Sequence, residues 1–357
     1  MQLPSRFFNH QAPWMTDDPS PNHLPTAESE LRPAVSPDDV LPPIEAPGAG
    51  FILQLFIVPA IIVFVIVMVW FMFSWLARGT DDPRLLIKKL SVSSEARYQA
   101  AHELASVLSS KRFAAFKQDR EAAADLARTL AVQLKDGGDG DREVNLRIFI
   151  CRALGEFQVD EGLLDLLQAT DSRRHIDVRK AALEAIAIRA EYASQLDLPR
   201  QIGDEQLTST MLALADDQEY QVRERTVIAL SWLGGDLLLA KLEEMLEDPH
   251  PNVRYNAATS CSRLGNAASV DVLEEMLDPD SAGVKSEPDE RLRPGKRANI
   301  LINALRATLI LADANADADL RELEKAIAAL AEGDLDRQLR MDAANVLSRL
   351  KDRARSE

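Results

Sequence analysis

The sequence predicts an all-α protein, in which paired helices form a long array behind one membrane-crossing helix. Three observations lead there. Residues 51–77 contain no charged side chain. Ala and Leu dominate after residue 84 while aromatics make up only 5% of the chain, which favours helices over sheets. An aliphatic–arginine motif also recurs along the remainder, with a shortest step of 31 residues, from Val222 to Val253.

The first element is a tail, residues 1–50. Ten of the 18 prolines fall in residues 1–47. Proline removes backbone donors, and the stretch has little apolar content, so the acidic tail is expected to be disordered. Phe7, Phe8, Trp14 and Met15 form a small apolar patch of the kind a short docking motif uses.

The second element, residues 51–77, reads FILQLFIVPAIIVFVIVMVWFMFSWLA, with only Gln54 and Ser74 notably polar. As a helix it spans about 40 Å, against about 30 Å for a bilayer core. Pro59 either kinks this helix or lies in its first turn, and Trp70 and Trp75 are expected to anchor its C-terminal half. A cleaved signal peptide fits poorly. The run is too long, begins at residue 51, lacks a basic region before it and lacks an A-x-A site after it. Residues 36–50 hold no Lys or Arg, whereas residues 78–92 hold Arg78, Arg84, Lys88 and Lys89. Basic flanks stay on the cytoplasmic side. The expectation is a single-pass protein of the bacterial inner membrane, its tail outside and residues 78–352 in the cytoplasm. A short C-terminal tail, 353–357, follows.

The third element is the repeat. Residues 248–265, DPHPNVRYNAATSCSRLG, hold Asp, His, Cys and Arg and resemble a site at first glance. The same pattern begins at Val222-Arg223, Val178-Arg179, Leu146-Arg147 and Leu339-Arg340, with weaker copies at Ala96 and Lys296. Small or apolar residues follow each anchor at +4, +5 and +8, which is helical spacing. Leucine-rich segments at 85–90, 235–248, 270–278 and 320–334 supply partner helices, and Asp and Pro in the links stop one helix and start the next. Longer steps are the basic unit plus insertions at 109–121, 189–205 and 278–297.

The D-x-x-x-x-VR-x-x-A-A pattern, best seen in Asp217 with Val222-Arg223 and Asp248 with Val253-Arg254, resembles HEAT-like repeats of the phycobilisome-lyase type over roughly residues 83–352. Ala96 and Lys296 depart from it. The resemblance implies a right-handed α–α superhelix of about seven helix pairs. It also implies an Asp–Arg ladder along the stack, in which Arg147, Arg179, Arg223, Arg254 and Arg340 are structural alongside Asp217 and Asp248.

Little else suggests chemistry. His10, His23, His102, His175 and His250 show no metal-ligand spacing, and Cys151 and Cys261 fall at inward positions. GGDGD at 137–141 lacks the spaced ligands of an EF-hand and reads as a link. No catalytic residue, cofactor or metal is expected. The insertion 278–297 has alternating charge and is expected to be mobile, its basic end (Arg291, Arg293, Lys296, Arg297) a candidate contact for an acidic partner or lipid headgroups. The body after the apolar run has 39 basic and 50 acidic groups, so nucleic acid is not an expected partner. The function expected is that of a scaffold or adaptor holding a partner protein at the bilayer. The alternative is an enzyme similar to the phycobilin lyases that share the repeat. A third reading is nucleic-acid binding of the kind some HEAT-like glycosylases show.

Overall fold

A computed structural model describes residues 48–77, 82–92, 94–195 and 205–354. The expectations for residues 1–47 of the tail, for Arg78 and for residues 196–204 of the insertion at 189–205 lie outside the described residues. Among those described there are sixteen α-helices and no strand. Their contacts divide them into two units, the apolar helix up to Ser74 and everything from Trp75 onward.

The first unit is α1 (Ala49–Ala77). Within it Leu53–Phe73, 21 residues of mean hydropathy 3.0, is exposed throughout and is long and apolar enough to cross a membrane. The helix starts two residues before the apolar run. Pro59 lies inside it, well beyond its first turn. The ring of Trp70 meets Phe71 edge-on at 5.2 Å, and Trp75 falls in the last turn.

The second unit is a solenoid of seven helix pairs. They are α2 (Pro83–Leu90) with α3 (Ala96–Ser109), α4 (Arg120–Asp136) with α5 (Asp141–Gly155), and α6 (Leu163–Ala169) with α7 (Ile176–Gln195). Next come α8 (Glu205–Ala215) with α9 (Tyr220–Leu233) and α10 (Asp236–Glu244) with α11 (Pro251–Arg263). In the sixth pair α13 (Ala282–Lys285) stands between α12 (Val270–Leu277) and α14 (Arg293–Ala314), and α15 (Arg321–Glu332) with α16 (Arg337–Ala354) closes the series. The second helices pack in chain order, α3, α5, α7, α9, α11, α14, α16, each against the next.

The repeat chemistry explains the elements. Asp82 and Asp119 cap α2 and α4 by accepting amides of Arg84 and Ala122 at 3.0 and 3.1 Å. Pro83 and Pro251 occupy first-turn positions where no amide donor is needed. Positions +4, +5 and +8 form the core: Ile150, Cys151 and Leu154 in α5, and Ala257, Ala258 and Cys261 in α11, are all buried. Each large aliphatic side chain buried this way contributes about 1.5–3 kcal/mol. Small residues set the helix spacing. A Cβ on Gly155 of α5 would lie 2.7 Å from the Ala185 Cα of α7.

The insertion at 278–297 differs from the mobile loop expected. It folds α13, buries Val284 to 3% exposure, and hangs on Tyr255, whose hydroxyl accepts the Gly283 amide at 3.0 Å. The insertion at 109–121 is likewise ordered by 3-10 turns at Lys111–Phe113 and Phe116–Gln118. There Lys117 is buried, with Nζ donating to Glu156 at 2.7 Å and Tyr192 at 3.4 Å. Burial works against this ammonium, but its partners prevail and raise its pKa.

Candidate functional site

Two features stand out on the solenoid: a polar ladder along the links, and a groove between second helices. The ladder begins with each arginine next to its anchor, held at the start of a second helix so that the guanidinium reaches back over its own link. Arg179 Nε donates to the Thr170 carbonyl at 2.9 Å, Arg223 Nη1 to that of Asp217 at 2.8 Å, and Arg254 Nη1 to that of Asp248 at 2.8 Å. The remaining nitrogens cross to the next repeat. Arg179 pairs with the Asp217 carboxylate. Arg223 grips Asp248 bidentately, at 2.7 Å from Nε and 2.9 Å from Nη2. Each aspartate also caps its own link, Asp217 accepting the Glu219 amide at 2.9 Å and Asp248 that of His250 at 2.8 Å. Burial pushes Asp248 up, but the Arg223 bonds and the His250 amide outweigh it and hold the carboxyl below its ordinary value.

Elsewhere the partners change. Arg254 reaches Glu275 of α12 at 2.6 Å, while Asp278 accepts the Asp280 amide at 2.9 Å, the same link cap that Asp217 and Asp248 make. Arg147 stays within its own link, on the carbonyls of Gln133 (3.3 Å) and Gly138 (2.9 Å) and the carboxylate of Asp139 (3.3 Å). The next link runs seven residues from Asp171 to Val178, against five from Asp217 to Val222, and its Asp171 pairs with Arg173 instead. Arg340, in the last pair, is exposed and has no side-chain bond among the described residues.

The basic end of the insertion is internally engaged. Arg291 pairs with Asp289, Arg293 Nη1 with Glu290 (3.2 Å), and Lys296 with the Ser286 hydroxyl (2.9 Å). Arg297 donates to the Pro279 carbonyl at 2.7 Å and to Asp280 at 2.9 Å, repeating the ladder arginine's grip on its own link. The sequence reading placed Arg297 in the charged loop, although it directly follows the Lys296 anchor as the ladder arginines follow theirs.

His175 and His250 sit in links, each with Nδ1 accepting an amide two residues on, and His250 stacks on Tyr220 with centroids 3.6 Å apart. Burial lowers the His250 pKa. Burial likewise pushes both thiols, Cys151 and Cys261, up to about 12. Among the described residues no cluster of three His, Cys, Asp or Glu is arranged to hold a metal.

The groove lies between α11 and α14 and encloses about 560 Å³. Its walls include Asn252, Asn256, Arg263, Asn299, Asn303 and Arg306. Asn256 Nδ2 donates to Glu224 of α9 at 3.3 Å. Arg263 bonds the Ser231 hydroxyl and lies 3.7 Å over the Trp232 ring. None of these residues was singled out from the sequence. The available signal was the second set of helical spacings, on the face opposite the apolar one.

Seven helix pairs, with arginine–carboxylate ties across three of their boundaries, make this chain an α-solenoid of HEAT-like repeats. A family profile described as HEAT repeats matches residues 208–287, the stretch that holds the Asp217, Arg223, Asp248 and Arg254 contacts. A search of curated proteins finds no match. Among solved structures the chain is similar to the complex of CpcE and CpcF of phycocyanin lyase from Nostoc sp. PCC7120, at 18% identity over 75% of this chain and 94% of that chain, with a TM-score of 0.41. It is also similar to an engineered protein, at 19% identity over 75% and 68% of the two chains with a TM-score of 0.36. A third is human deoxyhypusine hydroxylase in complex with glycerol, at 18% identity over 76% and 96% with a TM-score of 0.27.

Proposed function

We propose that this chain is a membrane-anchored scaffold or adaptor that binds a partner protein through its repeat surface. The observation that carries the reading is the coupling of two features in one chain. One is a 21-residue apolar stretch exposed throughout, and the other is a series of second helices packed into one extended face. An extended face gives a large contact area without catalytic groups, and anchoring raises the local concentration of the site near other membrane proteins. In this reading α1 spans the bilayer once, with Pro59, Trp70 and Trp75 in the anchor. Residues 1–50 lie outside and the solenoid lies in the cytoplasm of a bacterial cell. Arg147, Arg179, Arg223 and Arg254 serve structure, and the insertion's cations, above all exposed Arg291, offer a secondary contact.

Two experiments test it. After alkaline extraction of membranes the chain stays in the pellet. With both native thiols buried, a membrane-impermeant maleimide labels Ser20→Cys on intact cells and Asp334→Cys only after lysis. The opposite labelling pattern overturns the topology. Release into the alkaline supernatant overturns the anchor. Cross-linking in membranes yields a defined adduct with another protein; recovery of uncross-linked chain alone overturns the scaffold role.

A further inference from the structure

The groove between α11 and α14 carries a specific chemistry. On α11 it is lined by Asn252, Asn256, Thr259 and Arg263; on α14 by Asn299, Asn303, Arg306 and Ile310. Both sets follow the spacing i, i+4, i+7, i+11, so each is a single file along one helix. Four of the eight are asparagine, a residue that helix stability does not favour. A carboxamide offers two donors and an acceptor. Asn256 spends one donor on Glu224, whereas the side chains of Asn252, Asn299 and Asn303 make no hydrogen bond among the described residues. A carboxamide can therefore donate to the C=O and accept from the N–H of a peptide unit. It matches a chain whose N–H and C=O are free, which is true of an extended segment and not of a helix.

The remaining positions select charge. Arg263 lies over the Trp232 ring, and Arg306 is exposed with no partner among the described residues. Glu224, the one acid in the groove, is engaged by Asn256. This net positive end stands on a body that is acidic as a whole. The file from Asn252 to Arg263 measures about 16 Å, the length of about five extended residues.

Resting on the scaffold reading, we propose that the α11–α14 groove binds an extended acidic segment of a partner protein. The four asparagines bond its main chain, and Arg263 and Arg306 take its carboxylates. The test pans a phage-displayed random 12-residue library against the full chain in lipid nanodiscs, with empty nanodiscs as the counter-selection. Enriched peptides are rich in Asp and Glu. Their affinity falls about tenfold in the double variant N299A/N303A, as expected for two lost hydrogen bonds. Methylation of the peptide's backbone nitrogens weakens binding similarly, and R306E removes the preference for acidic sequences. All three side chains are exposed, so neither variant melts below the wild type. Peptides that bind both variants undiminished overturn the groove assignment and leave the scaffold reading standing. A panning that enriches nothing over empty nanodiscs also overturns it, and the membrane cross-linking then decides the scaffold reading separately.

Discussion

Replacing Asp248 with Ala removes a carboxylate that holds two repeats together. Its side chain is 7% exposed and accepts two bonds from Arg223, itself 13% exposed, and one from the His250 amide. Breaking a buried pair leaves an uncompensated charge and costs about 3–5 kcal/mol. Arg223 keeps its bonds to the carbonyls of Asp217 and Gln218, which places the expected loss near the lower end, about 3 kcal/mol. In a solenoid of this size that lowers the melting temperature by about 6–12 °C. The assay is circular dichroism at 222 nm on the full chain in detergent, with R291A as an exposed control that leaves the melt unchanged. The double variant R223A/D248A loses less than the sum of the two single changes. The acid limb of the stability curve gives a second readout. Because Asp248 titrates below its ordinary value in the folded protein, it contributes stability above about pH 4 that is lost as pH falls through the lower, folded pKa. D248N, which retains an oxygen for the His250 amide, flattens that limb. A D248A melt within about 1 °C of wild type refutes the view that the ladder ties the repeats.

Other consequences follow from the packing. Tyr255 donates to Glu275 at 2.8 Å and accepts from Gly283 at 3.0 Å, so Y255F costs about 1–3 kcal/mol and speeds proteolysis between residues 278 and 292. Unchanged cleavage there contradicts the account of the insertion. G155A forces a methyl against Ala185 and costs about 1–3 kcal/mol in the same melt, whereas a neutral outcome shows that α5 and α7 separate freely. With thiols pushed up to about 12, Cys151 and Cys261 resist Ellman's reagent at pH 8 and both react once denaturant is added. Immediate labelling of either in the folded chain contradicts their burial.

The second helices were legible because their core is written locally. An anchor and the small or apolar residues at +4, +5 and +8 recur within little more than two turns, so Ile150-Cys151 and Ala257-Ala258 announce the same face. Their partners α4, α6 and α8 were less visible. The seven residues LLDLLQA of α6 are too few to show a period. The folding of 278–297 was hidden for a different reason. Its anchor, Tyr255, lies 28 residues from Gly283 and points to it only in three dimensions. The ladder was legible where the link keeps five residues, at Asp217 and Asp248. It was misleading at Arg147, where the next link is two residues longer, and at Arg297, which composition assigned to a charged loop. The asparagine files are hard to see in the sequence because polar residues at helical spacing also mark any solvated helix face.

The cross-repeat bonds from Arg179, Arg223 and Arg254 fall at three successive boundaries; among the described residues neither the first pair nor the last has so buried a tie, Arg142 joining the first two pairs through exposed Glu95. Stiffness is therefore graded along the solenoid. Its middle is bolted on one edge as well as packed through its interior, whereas its ends hold by apolar contact and scattered surface bonds. Amide protons of α9 and α11 should be the slowest to exchange with solvent. The flanking pairs are then the parts free to bend when a load is applied to the array.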